Sequence, residues 1–372
     1  MQLRFAKPTL QMSLTRKKKT GGIAGLDIEA GSIAATEVEG TNGSTQVTAS
    51  AIQPIEPGVF HEGEVLDPDG LVAGLKQLFG EHKLSKRVRL GVANQNVIVR
   101  TLRLPAIENP AEMEAAVRFQ AQEQMPMPLD QAVLEHQVVG GVPAEEGAAP
   151  QVDVVAVAAR RDMVSSFVEP LRRAGLEPVG VDLSAFAMIR ALADAGMAGM
   201  SVEPGQRPSE AVLYCNVGDV TNLAVARGRS CLFTRVSHAG LESISERLAA
   251  TRGLSPEHAA QWLAYVGLER PVEELEGDPE TVVEARAALE EGVAALLDEL
   301  RLSLDYYGAQ EGALPVSRIV LSGQGSAIPG LAGQMEERLG AAMVVSRPAG
   351  LAGFDDAAAA RLTLSYGLAL ES

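Results

Sequence analysis

Gly25-Leu26-Asp27-Ile28-Glu29-Ala30-Gly31-Ser32 is an apolar run that ends in a glycine turn carrying acids. Leu213-Tyr214-Cys215-Asn216-Val217-Gly218-Asp219-Val220-Thr221 repeats the pattern, and a third turn, Leu321-Ser322-Gly323-Gln324-Gly325-Ser326, follows another apolar run. Backbone N–H groups of tight turns bind phosphate, and glycine lets the backbone come close. Two strand-turn loops and a late Gly-x-Gly turn predict a nucleotide gripped between two similar lobes. Gly31, Ser32, Gly218, Thr221, Gly323, Gly325 and Ser326 are the candidate nucleotide contacts. Magnesium dehydrates reluctantly, so each loop of such a site should offer it an Asp through water. Asp27 suits that role and is the candidate metal residue. The second loop offers Asn216, which has no charge to hold a metal.

Outward from these loops the chain alternates strands and helices. Short apolar strands are predicted at 23–27, 33–38, 47–52 and 87–93, with a helix at 68–79 whose Leu71, Leu75 and Leu78 share a face. Val97–Leu104 alternates like a sheet strand and stops at Pro105. A helix follows at 110–125 with Pro at its first turn, then strands at 133–139 and 152–158, a helix at 162–174, a strand from 178 and a helix at 184–196. The order β-α-β-β-α-β over 97–183 predicts a compact inserted subdomain. Met200–Ser209 reads as a linker. Beyond it come three strands (211–216, 221–226, 230–237), a largely helical stretch from 241 to 310, a strand at 318–322, a helix at 331–339 and a closing helix at 357–370. Both halves run strand, glycine turn, strand, strand, then helices. That echo predicts a duplicated α/β unit with a cleft between the copies.

The expected division is a basic disordered tail at 1–21 and a first-lobe core at 22–94 and 181–203, to which helix 355–372 returns. The inserted subdomain is placed at 95–180 and the second lobe at 204–354.

The bulk numbers agree with two cores. The chain has 372 residues, 46% of them hydrophobic and 22% charged, which is globular composition. Residues 1–20 hold Arg4, Lys7, Arg16, Lys17, Lys18 and Lys19 and no acid; removing those six from the net charge of −16 leaves about −22 on the rest. So acidic a body is a poor nucleic-acid binder. No run approaches the roughly 18 apolar residues of a membrane span, and the basic start lacks the apolar run of a signal peptide. A cytoplasmic protein is expected. Cys215 and Cys231 fit no metal spacing and read as small buried hydrophobes.

Other chemistry is thinly represented. His61, His82, His136, His238 and His258 show no metal-ligand spacing. There is no GxSxG elbow and no P-loop lysine. Trp262 reads as a packing residue. Arg16-Lys17-Lys18-Lys19 could touch anionic lipid or be a solvated tail. Any one of the three turns alone is also what a plain strand-turn-strand looks like; their number and order carry the cleft reading.

The chain resembles the PilM family of type IV pilus assembly proteins, actin-like relatives of the cell-division protein FtsA, over about residues 22–370. The resemblance lies in Gly25-Leu26-Asp27-Ile28 with Ser32, in Asn96–Pro105, and in Arg118-Phe119-Gln120-Ala121-Gln122 before Met125-Pro126-Met127-Pro128. It continues in Val155–Arg161, Ala174-Gly175-Leu176-Glu177-Pro178, Leu232-Phe233-Thr234-Arg235, Ser303-Leu304-Asp305-Tyr306-Tyr307 and Tyr366-Gly367-Leu368-Ala369-Leu370. It implies an α/β fold of the actin-like, duplicated ribonuclease H-like type, with two lobes and the β-α-β-β-α-β insert in the first. It also implies a cytoplasmic protein peripheral to the inner membrane, holding the N-terminal tail of a PilN-like membrane protein between the first lobe and the insert, with ATP and magnesium in the cleft.

The departures from that family fall on the nucleotide. Glu29 stands where the first turn usually has Gly, and Ala34 where it has Lys. Asn216 replaces the second Asp. The segment His258-Ala259-Ala260-Gln261-Trp262-Leu263 lacks, at Ala260 and after it, the second Glu and the Lys that contact sugar and base. Gly323-Gln324-Gly325-Ser326 is a mild change. The expectation is a structural adaptor with weak or absent ATPase activity. The alternatives are an active ATPase, and a small-molecule kinase of the same superfamily, for which no catalytic base stands out.

Overall fold

The computed structural model describes residues 2–3, 22–40, 45–142, 149–198, 208–310 and 312–370. The tail with Arg16–Lys19, most of the 200–209 linker, and residues 143–148 between the second and third insert strands lie outside them.

The first lobe opens with β1 (Gln2–Leu3), inside the stretch expected as tail, and continues through β2 (Ala24–Glu29), β3 (Ser32–Glu39) and β4 (Gln46–Pro54). A two-stranded ribbon, β5 (Phe60–His61) and β6 (Glu64–Val65), precedes α1 (Pro68–Glu81) and β7 (Arg87–Val92). Asp67 starts α1, its carboxylate accepting from the Asp69 N–H, with Pro68 at the first turn. The insert is β8 (Val97–Pro105), α2 (Pro110–Gln124), β9 (Ala132–Val142) and β10 (Gln151–Arg160). The chain then returns through α3 (Arg161–Arg173) and β11 (Glu177–Leu183) to α4 (Ser184–Met197).

The second lobe holds β12 (Ala211–Val217), β13 (Thr221–Arg227), β14 (Ser230–Ser237), α5 (Leu241–Arg252), α6 (Pro256–Val266), the 30-residue α7 (Pro279–Gly308), β15 (Val316–Ser322), α8 (Leu331–Leu339) and β16 (Met343–Val345). The last helix is α9 (Asp356–Ala369).

The duplication is explicit in the sheets. The first runs β1-β11-β7-β2-β3-β4 and the second β14-β13-β12-β15-β16. In each, three consecutive strands form an antiparallel meander and two later strands add in parallel to the other side of the first. Each repeat also ends in a helix that crosses to the other lobe. Helix α4, expected in the first-lobe core, packs Phe186, Met188, Ile189 and Leu192 with Val212, Tyr214, Ala224 and Val320 of the second sheet. Helix α9 packs on β2, β3 and β7 of the first, and the two crossing helices lie against each other. At Gly25 a Cβ would sit 2.0 Å from the Ser365 carbonyl oxygen, so glycine sets how close α9 comes to β2.

The insert ends earlier than residue 180. Its sheet is β8-β10-β9 alone. Along β10, Val154, Ala156 and Ala158 face α2, while Val155 and Val157 face α4 and the second lobe. Helix α3, expected within the insert, buries Val164, Phe167, Val168 and Leu171 in the first-lobe core, and β11 pairs in parallel with β7. The helical periodicity revealed an apolar face on α3 but not which sheet would cover it.

Candidate functional site

The two strand-turn loops face each other across the cleft, at the ends of β2 and β12, and the Gly323–Ser326 turn closes its floor. Into this place α9 inserts Arg361. The guanidinium Nη1 lies 2.5 Å from Asp27 Oδ2, and Nη2 donates to the Asp27 and Ser32 carbonyl oxygens at 3.2 and 2.8 Å. Nε donates to Ser32 Oγ at 2.8 Å and sits 3.1 Å from Glu29 Oε2. The Arg361 and Asp27 side chains are 4% and 5% exposed. All three guanidinium nitrogens are engaged, which is what a buried charge requires.

The facing loop supplies an anion. Asp219 Oδ2 accepts from the Ala30 N–H at 2.6 Å, and the Gly31 N–H also bonds to this carboxylate. Of these two, Gly31 was expected to cradle phosphate, and Ala30 precedes it in the same turn. Glu29 reaches across in the other direction: Gln324 Nε2 donates to its Oε2 at 2.8 Å, and its Oε1 lies where a Cβ on Gly218 would be, 2.4 Å away. Gly218 therefore makes room for a carboxylate of the opposite lobe.

Three acids and one base share this buried volume. Burial raises Asp27 above the usual carboxylate range against the pull of Arg361. Burial, with Asp219 and Asp27 nearby, pushes Glu29 up to about 8 despite Arg361. Burial and then Glu242 push Asp219 up to about 6. The remaining expected contacts are turned inward. Asn216 Nδ2 donates to Ser322 Oγ at 3.2 Å, Thr221 Oγ1 to the Ala239 carbonyl at 2.6 Å, and Ser326 Oγ to the Gly323 carbonyl at 2.6 Å. Gly323 has φ of 81°, and Gly325 packs under Val217.

A second set of contacts joins the lobes nearby. His61 Nδ1 lies 2.9 Å from Glu242 Oε1 and 3.5 Å from Glu246 Oε1, and Glu242 Oε2 accepts from the Glu62 N–H at 3.0 Å. In return His238 Nδ1 lies 3.1 Å from Glu62 Oε2. The hydrogen bond to Glu242 is the main cause that raises the pKa of His61. Beside this clasp a cavity of about 520 Å³ opens between the lobes, with Ala30, Gly31 and Ser32 at one end and Ala260 in its wall. Its ionisable lining is Asp219, Glu242, Glu246 and Glu257 against His61.

This donor set does not fit a magnesium–nucleotide pair. Asp27 already carries a cation, the turn amides already carry an anion, and the cavity wall would repel phosphates. The partners that decide this, Arg361 and Asp219, were not singled out by motif reading, and neither were Glu242 and Gln324. One signal for Arg361 was available: it is the single charged residue in the run Ala357–Leu370.

A sequence profile of the family described as "Type IV pilus assembly protein PilM" matches residues 25–371. The chain belongs to the PilM family. A chain of the solved "PilM-PilN type IV pilus biogenesis complex" is 28% identical to this PilM-family protein, covering 94% of it and 97% of that chain, with a TM-score of 0.75. Two more distant structures share the actin-like fold. The ethanolamine utilization protein EutJ from Carboxydothermus hydrogenoformans is 12% identical, covering 95% of this chain and 91% of its own, with a TM-score of 0.50. MreB5 of Spiroplasma citri bound to ADP is 12% identical, covering 94% and 95%, with a TM-score of 0.50. The expected actin-like two-lobe fold is what the structure has.

Proposed function

We propose that this PilM-family protein is a cytoplasmic structural adaptor of a type IV pilus or a related secretion or competence machine. It holds the N-terminal cytoplasmic tail of a PilN-like inner-membrane protein and does not turn over ATP. The observation that carries the adaptor role is the match over nearly the whole chain to a protein solved in a PilM–PilN complex. The outer edge of β11, beside β9 of the insert, supports a strand-adding peptide: Gln2–Leu3 already pairs there antiparallel, with Leu3 opposite Val181. No helix among the described residues is long and apolar enough to cross a membrane, so the partner would supply the anchor. Arg16–Lys19 would add attraction to anionic lipid. Loss of turnover is supported by Arg361 standing on Asp27 and by Asn216 in the second loop.

The rival reading, an ATP-hydrolysing clamp, has the cavity beside Gly31 and Ser32 on its side. Two measurements separate them. An immobilised peptide of the N-terminal tail of a PilN-like membrane protein from the same organism should retain the purified protein without nucleotide; failure with and without nucleotide removes the adaptor reading. Titration with a fluorescent ATP analogue and magnesium should give no saturable signal; tight binding with phosphate release establishes the rival.

A further inference from the structure

A magnesium nucleotide in this cleft would be held by Asp27 through the metal and by the first turn's amides through the phosphates. Here both of those positions are filled by side chains. The guanidinium of Arg361 takes the cation's place on Asp27. The Asp219 carboxylate takes a phosphate's place on the Ala30 and Gly31 amides. We infer that Arg361 and Asp219 act as a tethered ligand, so that the two lobes are held closed by the chain itself and closure no longer answers to nucleotide. This rests on the non-hydrolysing reading of the cleft and deepens it.

Three observations converge on the inference. First, the filling residues come from three separate elements, α9, the β12–β13 turn and the turn after β15, and each contacts the single β2–β3 turn. Second, Asp219 and Gln324 belong to the second lobe and bond residues of the first, so the filling is also a latch. The crossed pairs His61–Glu242 and His238–Glu62 bind the same two bodies alongside it. Third, the residues of the first loop and the last helix form one network. Arg361 pairs with Asp27 through Nη1 and reaches Glu29 through Nε, and Glu29 is held in turn by Gln324. Each of these buried groups thereby has a partner.

A ligand can shift a two-state equilibrium only by its differential affinity for the two states. A clamp whose ligand is covalently part of the chain has its closed state favoured at all nucleotide concentrations. The partner-binding face between the first lobe and the insert is then presented constitutively.

The test is a distance across the cleft. Cys215 and Cys231 are buried, so exposed Lys76→Cys on α1 and Glu284→Cys on α7 can be spin-labelled selectively. The expected result is one narrow distance distribution that magnesium and ATP leave unchanged. Asp219→Ala, and separately the pair Glu29→Gly with Arg361→Ser, should lengthen or broaden it by more than about 2 Å, the scale of a true rearrangement. Circular dichroism on the same samples checks that they remain folded, and the paired change guards against the single Arg361 variant failing to fold. A shift on adding magnesium and ATP to the unmodified protein, or an unchanged distribution in folded Asp219→Ala, overturns the inference. Peptide retention on the same samples reports separately on the adaptor reading: loss of retention by unmodified, closed protein removes that reading and leaves the tethered ligand standing.

Discussion

Arg361 Nη1 meets Asp27 Oδ2 at 2.5 Å, joining two residues 334 positions apart in the sequence. Neither side chain touches bulk water to any extent. A buried pair of this kind adds little net stability over an apolar substitute, but breaking it by removing one partner costs about 3–5 kcal/mol.

Arg361→Ala should therefore lower unfolding stability by about 3–5 kcal/mol, read as a shift of the urea midpoint. Arg361→Lys keeps the charge and loses the fork that spans Asp27, Ser32 and Glu29, so it should fall between the two. A wild-type midpoint for Arg361→Ala would mean that the pair is not formed in solution.

Restoring nucleotide binding should need more than the missing acid. Asn216→Asp alone leaves Arg361 on Asp27 and should not bind a fluorescent ATP analogue with magnesium. Glu29→Gly, Arg361→Ser and Asn216→Asp together clear Asp27 of its cation and supply both carboxylates, leaving Asp219 on the turn amides for the phosphates to displace. An affinity gain of about tenfold or more, roughly 1.4 kcal/mol, is expected for the triple variant. Equal binding by the single and triple variants would show that Arg361 does not block the site.

The Glu29 carboxyl, pushed up to about 8, faces Asp27 on its own strand, Asp219 across the cleft, Arg361 from α9 and Gln324. Its ordinary value is 4.5. Between those values the folded chain holds a proton that the unfolded chain has released. Stability from this group is therefore full below pH 4.5 and is lost as pH rises toward 8. Glu29→Gln removes the titration, and its stability should fall less steeply over that window than that of the unmodified protein. Parallel profiles would show that another group carries the slope.

Two glycines near the first loop should respond in opposite ways. At Gly25 an added Cβ would lie 2.0 Å from the Ser365 oxygen and 2.5 Å from the Ala369 nitrogen, both backbone. Gly25→Ala should push α9 off β2 and destabilise by several kcal/mol, of the order seen for overpacked cores (about 1–3) or more. Gly31 has nothing within 4 Å of such a Cβ. Gly31→Ala should stay within about 0.5 kcal/mol of the unmodified protein. Thermal melts of the two variants decide this.

The alternating strands 97–105 and 211–217 were legible because half-buried or buried strands write themselves as period-2 or continuous apolar runs. The duplication was legible for the same reason. What sequence patterning does not encode is the partner of an apolar face. Helix α3 was expected in the insert and α4 in the first-lobe core, yet α3 lies on the first sheet and α4 on the second. The site shows the same limit at single-residue scale. Glu29 in a phosphate turn was anomalous and Arg361 in an apolar helix passed unremarked, and their relation is visible only when α9 is seen to cross between lobes. Asp219, two residues before Thr221, was not singled out because its acceptor role depends on a turn nearly 190 residues earlier.

The crossing of α9 also sets an order of events during synthesis. Asp27 and Glu29 are made early, but their counter-ion is made 334 residues after Asp27. At ribosomal rates of about 5–20 residues per second that is a delay of roughly 20–60 s. Through that interval the first sheet lacks the helix that covers one of its faces, and two acids wait in a half-built pocket. The first sheet is therefore complete only once α9, made long after the strands it covers, has packed on β2, β3 and β7.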